Sequence, residues 1–195
     1  MDTSAEIKSQ IVDAATTRIC QYGCNKTTMA EIAKDCGMSA GNIYRFFDGK
    51  KEILAEIAHH CFTQIEDCLR AVLRRPGLSA TERLEAFTLE TLRSVYGMCA
   101  NRPKINETVE LISDERADLV ARHKEVRQSL VAEILAEGNR SGEFEVEDVV
   151  GTAGAILIAT SFFASPVLTG QTPLEELEQE AKGLAKLLVR GLGKR

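Results

Sequence analysis

The stretch TTMAEIAKDCGMSAGNIYRFFDGKKEIL, residues 27–54, decides the fold. Within it Ala33, Gly37 and Ile43 stand at i, i+4 and i+10, the spacing of a helix-turn-helix. Ala33 is small enough to let a second helix cross close to the first. Gly37 takes the positive φ of a tight turn at little cost. Ile43 points back from the second helix into the shared core. Such a unit places its second helix in a DNA major groove.

Local signals agree. Thr28 and Glu31 form a capping box that predicts a helix through Asp35. Ser39 caps the recognition helix, Ser39–Phe46. Asp48 caps a further helix, on which Ile53, Leu54, Ile57, Ala58, Cys61, Ile65, Cys68, Leu69 and Val72 recur at helical spacing. Upstream, Ile7, Ile11, Ala14, Ala15, Ile19 and Tyr22 mark an amphipathic helix ending at Gly23. The DNA-facing candidates follow from this placement. Asn42 is suited to a bidentate contact with adenine. Ser39, Ala40 and Gly41 lie nearest the base edges, and their small size permits close approach. Tyr44 and Arg45 are placed for phosphates, with a packing aromatic as the alternative for Tyr44. Thr27 or Thr28 offers a further phosphate contact from the positive end of its helix. Ile43, Phe46 and Phe47 are assigned to the core.

Over residues 11–54 the chain resembles the TetR family of bacterial transcriptional regulators. The resemblance rests on Tyr22-Gly23, Thr27-Thr28, the Gly-x-Ser turn, Tyr44-x-x-Phe47, Lys50 and Ile53-Leu54 in that order. It implies an all-α, nine-helix architecture. It further implies a helix-turn-helix head over residues 1–50 and a helical effector-binding and dimerisation domain over residues 51–195. Tyr44 and Lys50 would contact the DNA backbone, and repression would be the usual mode. The remainder matches only in general character.

A chain of 195 residues suffices for one large or two small domains, with a core that needs neither disulfides nor metal. No amino-terminal signal peptide is visible. The most apolar run, Ala153–Ala164, is too short to span a membrane, so a soluble cytoplasmic protein is expected. The net charge of −5 is uneven. Seven basic and seven acidic residues cancel over residues 1–55, whereas 17 basic face 22 acidic residues in the rest. Between residues 18 and 51 six basic residues oppose three acidic ones, a local +3 on the expected DNA face. The six cysteines include no CxxC pair and read as small buried hydrophobes, with a thiol sensor as the alternative. There is no phosphate loop, HExxH, GxSxG or dinucleotide fingerprint, so neither an enzyme, nor a cofactor, nor a metal site is expected.

The remaining chain reads as helices. Pro76-Gly77 breaks the fourth, and Ser79 with Glu82 boxes the next to residue 99 or 100. Pro103 opens a helix to about Ile112. Asp114 caps one carrying Leu119, Val120, His123, Val126, Leu130, Val131 and Ile134, closed by Gly138. Residues 147–165 and 172–192 complete the set, the last started by Thr172, Pro173 and Glu175. Gly151, Ala155 and Ala159 repeat at i+4 in a segment apolar nearly all round. With Leu184, Leu187 and Leu188 they are the expected homodimer interface, an ordinary buried helix being the alternative. The effector pocket is expected from Phe62, Phe87, Thr91, Tyr96, Cys99, Val109, Leu119, His123 and Val126. It suits a partly hydrophobic small molecule with one or two hydrogen-bonding groups, since no Arg/Lys cluster lies on the inward stripes; an organic acid is the alternative, because Arg122 and Arg127 flank the stripe. The expected function is a ligand-responsive regulator binding a palindromic operator in double-stranded DNA as a dimer. Alternatives are a thiol-based redox regulator, or one governed by a protein partner.

Overall fold

The computed structural model describes residues 3–165 and 172–193; the side chains of residues 3 and 99–101 fall outside that description. The described residues form nine α-helices: α1 (Thr3–Tyr22), α2 (Met29–Asp35), α3 (Ala40–Ile43), α4 (Lys50–Leu73), α5 (Ala80–Asn101), α6 (Pro103–Glu115), α7 (Ala117–Ser141), α8 (Val149–Ala159) and α9 (Leu174–Leu192). Two 3-10 turns, Cys24–Lys26 and Ser161–Ala164, join them. No helix among the described residues is long and apolar enough to cross a membrane.

The chain forms two compact units. The first comprises Met1–Phe62 and Asn101–Val120, so it takes in the start of α4 and all of α6. Here α1 packs on α2 and α6, and α2 packs on α3. Its interior holds Ile11, Ala15 and Ile19 from α1, Ile32 and Ala33 from α2, Ile43, Phe47, and Ile53 and Ile57 from α4. Burying an isoleucine contributes about 1.5–3 kcal/mol relative to exposure, enough for Ile43 alone to fix which face of the short α3 turns inward.

The second unit comprises Thr63–Ala100 and Ala121–Arg195. Its main core joins Ile65 and Leu69 of α4, Leu84 and Phe87 of α5, Leu130, Val131 and Ile134 of α7, and Ala153, Ile156 and Leu157 of α8. A smaller cluster gathers Leu92, Phe163, Leu177 and Ala181.

Several helix ends differ from the sequence expectations, each for a visible reason. α6 runs on to Glu115, which places Asp114 inside it; Arg116 breaks the chain before α7 and clasps Asp118. Gly138 does not end α7. It is buried within the helix, where a Cβ would overlap the Phe144 ring, and Gly142 with φ +79° supplies the turn instead. α8 starts one residue after Asp148, which accepts the Gly151 N–H, and stops at Ala159. Pro173, rather than Thr172, stands at the N-cap of α9. α4 begins at Lys50, with the Asp48 N–H donated to the Glu52 carboxylate. Cys68 and Tyr22 lie outside the apolar interiors that helical periodicity assigned to them.

Candidate functional site

The turn between α2 and α3 is built as the residues require. The Thr28 hydroxyl accepts the Glu31 N–H at 3.3 Å, and the Glu31 carboxylate accepts the Thr28 N–H at 2.9 Å. Hydrogen bonds from Thr28, then from Arg18, hold the Glu31 carboxyl below its usual range. Gly37 has φ +66°. The Ser39 hydroxyl accepts the Asn42 N–H at 3.2 Å, which starts α3. The α-helix proper spans only Ala40–Ile43. The chain then tightens into i→i+3 bonds, Arg45 N–H to Asn42 and Phe46 N–H to Ile43, before the Phe47 N–H returns to the Ile43 carbonyl in an i→i+4 bond.

This geometry sorts the expected DNA-facing residues. Ser39, Ala40, Gly41, Tyr44 and Arg45 are exposed, Tyr44 at 53%. Asn42 is half-buried, its side-chain oxygen 3.5 Å from Arg45 Nη1. The space around Gly41 is open, with nothing within 4 Å of a Cβ built there. Ile43 and Phe47 are buried, and Phe46 is half-buried. Thr27 faces inward. It is fully buried and donates its hydroxyl to the Gly23 carbonyl at 2.9 Å, which leaves Thr28 of the pair facing outward. Lys50 is half-buried, and its Nζ donates to the Cys24 carbonyl at 3.1 Å.

Charge on the head is partly spent internally. Arg18 grips Asp35 at 2.8 Å and Glu31 at 2.7 Å, and Lys51 pairs with Glu115 at 2.9 Å. Sequence reasoning counted these residues but could not pair them. Arg18 therefore masks the two carboxylates of α2, and Lys26, Lys34 and Arg45 remain exposed. Lys8 lies 5.2 Å from the Phe47 ring centre, a support the sequence did not signal.

In the second unit the effector candidates divide. Phe87 is in the main core, Thr91 is buried and donates to the Phe87 carbonyl, Val126 packs against that core, and Tyr96 packs against the smaller cluster. Phe62, Val109 and Leu119 belong to the first unit, and the Cys99 side chain lies outside the described residues. His123 Nδ1 sits 2.9 Å from Glu66 Oε1, and Arg70 takes Glu66 Oε2 at 3.2 Å. Burial pulls the His123 pKa below the ordinary imidazole value against the raising effect of that bond, with Arg127 adding to the lowering. Glu66 carried no signal in the sequence.

On α8, Val150, Gly151, Ala155, Ile158 and Ala159 are exposed, as are Phe162 beyond it and Leu187 on α9. Leu184 and Leu188 are half-buried. Among the cysteines, burial raises the pKa of Cys36 and pushes that of Cys61 up to about 11, far from the thiolate that redox chemistry requires. The described residues contain no group of three or more His, Cys, Asp or Glu able to hold a metal ion.

Comparison with known proteins places this geometry. The family described as bacterial regulatory proteins, tetR family, matches residues 11–57, and the tetracyclin repressor-like C-terminal domain matches residues 80–185. BepR, a transcriptional repressor of Brucella suis, is 30% identical over 167 residues, which cover 80% of this chain and 77% of its own. KstR2, a repressor of Rhodococcus jostii, is 24% identical over 166 residues, 84% and 81% of the two chains. In fold, the crystal structure of the regulator FadR from Bacillus subtilis, in complex with stearoyl-CoA, matches with a TM-score of 0.66 at 23% identity over 94% of this chain and 98% of that one.

Proposed function

Because the chain belongs to the TetR family of bacterial transcriptional regulators, whose members bind DNA, we propose that it represses by binding a palindromic operator as a homodimer and is released by a small molecule. The observation that carries this reading is the face of α3: Ser39, Ala40, Gly41, Tyr44 and Arg45 point outward over a buried Ile43. Asn42 reads a base edge, Tyr44 and Arg45 position the backbone, and the N-terminus of α2 with Thr28 adds a phosphate contact. The assigned functional domains are the head, residues 1–50, and the helical remainder.

Two heads are needed to read a palindrome, with recognition elements about 34–36 Å apart. The exposed apolar face of α8, with Leu187 of α9, supports pairing between copies, because Gly151, Ala155 and Ala159 would let helix backbones approach closely. Ala159→Glu would then leave a carboxylate in an apolar interface and give monomers of unchanged helical content. The residues of α4 belong to both compact units. A ligand preferring one setting of the helical domain therefore acts on the head through α4. Moving occupancy from nearly full to nearly empty takes about 5.5 kcal/mol of differential affinity.

Selection of bound duplexes from a random pool tests the proposal. A recovered palindrome, with two protomers on each duplex by sedimentation, is the expected result. An unenriched pool, or a single asymmetric site bound by one protomer, overturns it. Release of the selected duplex by a protein fraction and by no small molecule would replace the effector with a partner protein.

A further inference from the structure

Among the described residues of the second unit, one buried guanidinium edge lacks a partner. Arg127 Nε and Nη2 are both buried with no hydrogen-bond partner. The residue as a whole is part-buried, but these two nitrogens are out of reach of solvent. They form one edge of the guanidinium, the edge whose two N–H bonds run parallel and match the two oxygens of a carboxylate. The same chain shows that edge in use: Arg116 donates from Nε to Asp118 Oδ1 at 2.8 Å and from Nη2 to Oδ2 at 2.7 Å. Among the described arginines, Arg127 alone has both nitrogens of this edge buried and unpaired.

The Glu66 carboxylate, on the same side-chain network as His123, is already committed elsewhere. Glu66 gives one oxygen to His123 and the other to Arg70. Desolvation lowers the Arg127 pKa to about 10, which still leaves the group cationic at neutral pH. A buried charge left alone is costly, and such groups are found paired. One turn further along α7, Leu130 and Val131 enter the main apolar core, and Val126 packs against it.

We infer that the Nε–Nη2 edge of Arg127 is the recognition point for a monocarboxylate effector, an organic acid whose apolar body lies against the neighbouring core. This rests on the ligand-responsive reading above and gives the effector a chemical class. A single negative charge is favoured because one guanidinium edge, on one cation, stands buried and unpaired. Arg127 grips the carboxylate in bidentate fashion through Nε and Nη2.

The test uses matched probes, octanoate and benzoate against octanamide and benzamide, with the selected operator and the full chain. Thermal shift and DNA release are read for the wild type, Arg127→Met, Arg127→Lys and, as a control, the exposed Arg122→Met. At least one acid should raise the melting temperature and release DNA, while its amide does neither at ten times the concentration. Arg127→Lys should weaken that acid about tenfold or more, because the bidentate edge is lost while the charge stays. Arg127→Met should melt at or above the wild-type temperature without ligand and ignore the acid, and Arg122→Met should behave as wild type. A clear drop in the ligand-free melting temperature of Arg127→Met would make Arg127 a structural residue and overturn the inference. So would equal action of acids and amides, or full response to the acid in Arg127→Met. Release by amides alone leaves the ligand-responsive reading standing and removes the carboxylate. Failure of both probe classes, with release only by a protein fraction, removes both.

Discussion

Lys50 Nζ donates to the main-chain carbonyl of Cys24 at 3.1 Å, tying the start of α4 to the 3-10 turn that follows α1. Resemblance alone makes Lys50 a phosphate contact; the structure gives its ammonium a bracing role as well. An ammonium carries three donors, so one carbonyl does not exhaust it. Lys50→Ala is therefore expected to act twice. The head should lose about 1 kcal/mol of stability with the hydrogen bond. DNA affinity should fall for all sequences alike, with the salt slope reduced by about one. Urea unfolding and a salt titration of operator binding separate the two. An unchanged salt slope would mean that Lys50 is a brace only.

Gly41 separates folding from DNA binding in the opposite sense. Nothing stands within 4 Å of a Cβ built there, and the residue is exposed on the reading face. Gly41→Ala should leave stability unchanged or raise it by about 0.5–1 kcal/mol through helix propensity. It should nonetheless weaken operator binding, because the added methyl holds the helix away from the base edges. Equal affinity for wild type and variant, by fluorescence anisotropy, would place the close approach elsewhere.

Gly138 behaves differently. A Cβ there overlaps the buried Phe144 ring, so Gly138→Ala should cost about 1–3 kcal/mol by overpacking, despite alanine's better helix propensity. The double variant Gly138→Ala/Phe144→Leu should recover part of that loss in denaturant unfolding. A single variant as stable as the wild type would refute the packing.

These glycines show how far the chain could be read without coordinates. Local signals were legible: the Thr28–Glu31 and Ser79–Glu82 boxes, the Ser39 cap and the Gly37 turn each involve residues within a few positions of one another. Gly138 reads as a helix stop because glycine usually marks one. Its actual cause is a ring six residues later folding back onto α7, a tertiary fact no local pattern carries. Asp114 and Thr172 fit caps by residue type, but α6 runs on to Glu115 and Pro173 stands at the N-cap of α9. On the reading face, periodicity correctly turned Ile43 inward, whereas it could not tell buried Thr27 from exposed Thr28. In the helical domain His123 stood out as an imidazole on an otherwise apolar helical stripe. Its partner Glu66 and the bare edge of Arg127 depend on which of several charges pair across helices.

His123 also sets a pH dependence. Burial keeps its folded-state pKa below the ordinary 6.5, with Glu66 bonded to it and Arg127 nearby. Below that value the unfolded chain takes up a proton that the folded chain resists. The contribution is therefore complete above about pH 6.5 and is lost as pH falls through that value toward the folded pKa. The carboxylates held low, such as Glu143, act in a separate window below 4.5. Melting temperature should drop between pH 7.5 and pH 5.5, and His123→Gln should flatten that drop while keeping a donor for Glu66. A wild-type profile flat over this interval would contradict it.

In the proposed function the outward face of α3 reads bases, with Asn42 as the reader. The most direct measurement is a base-by-base affinity profile of the selected operator for the wild type and Asn42→Ala. Asn42→Ala is expected to lose preference at one base pair in each half-site, by about 1–3 kcal/mol, and to keep the rest of the profile. An Asn42→Ala profile identical to that of the wild type, or a uniform loss across all positions, would contradict it.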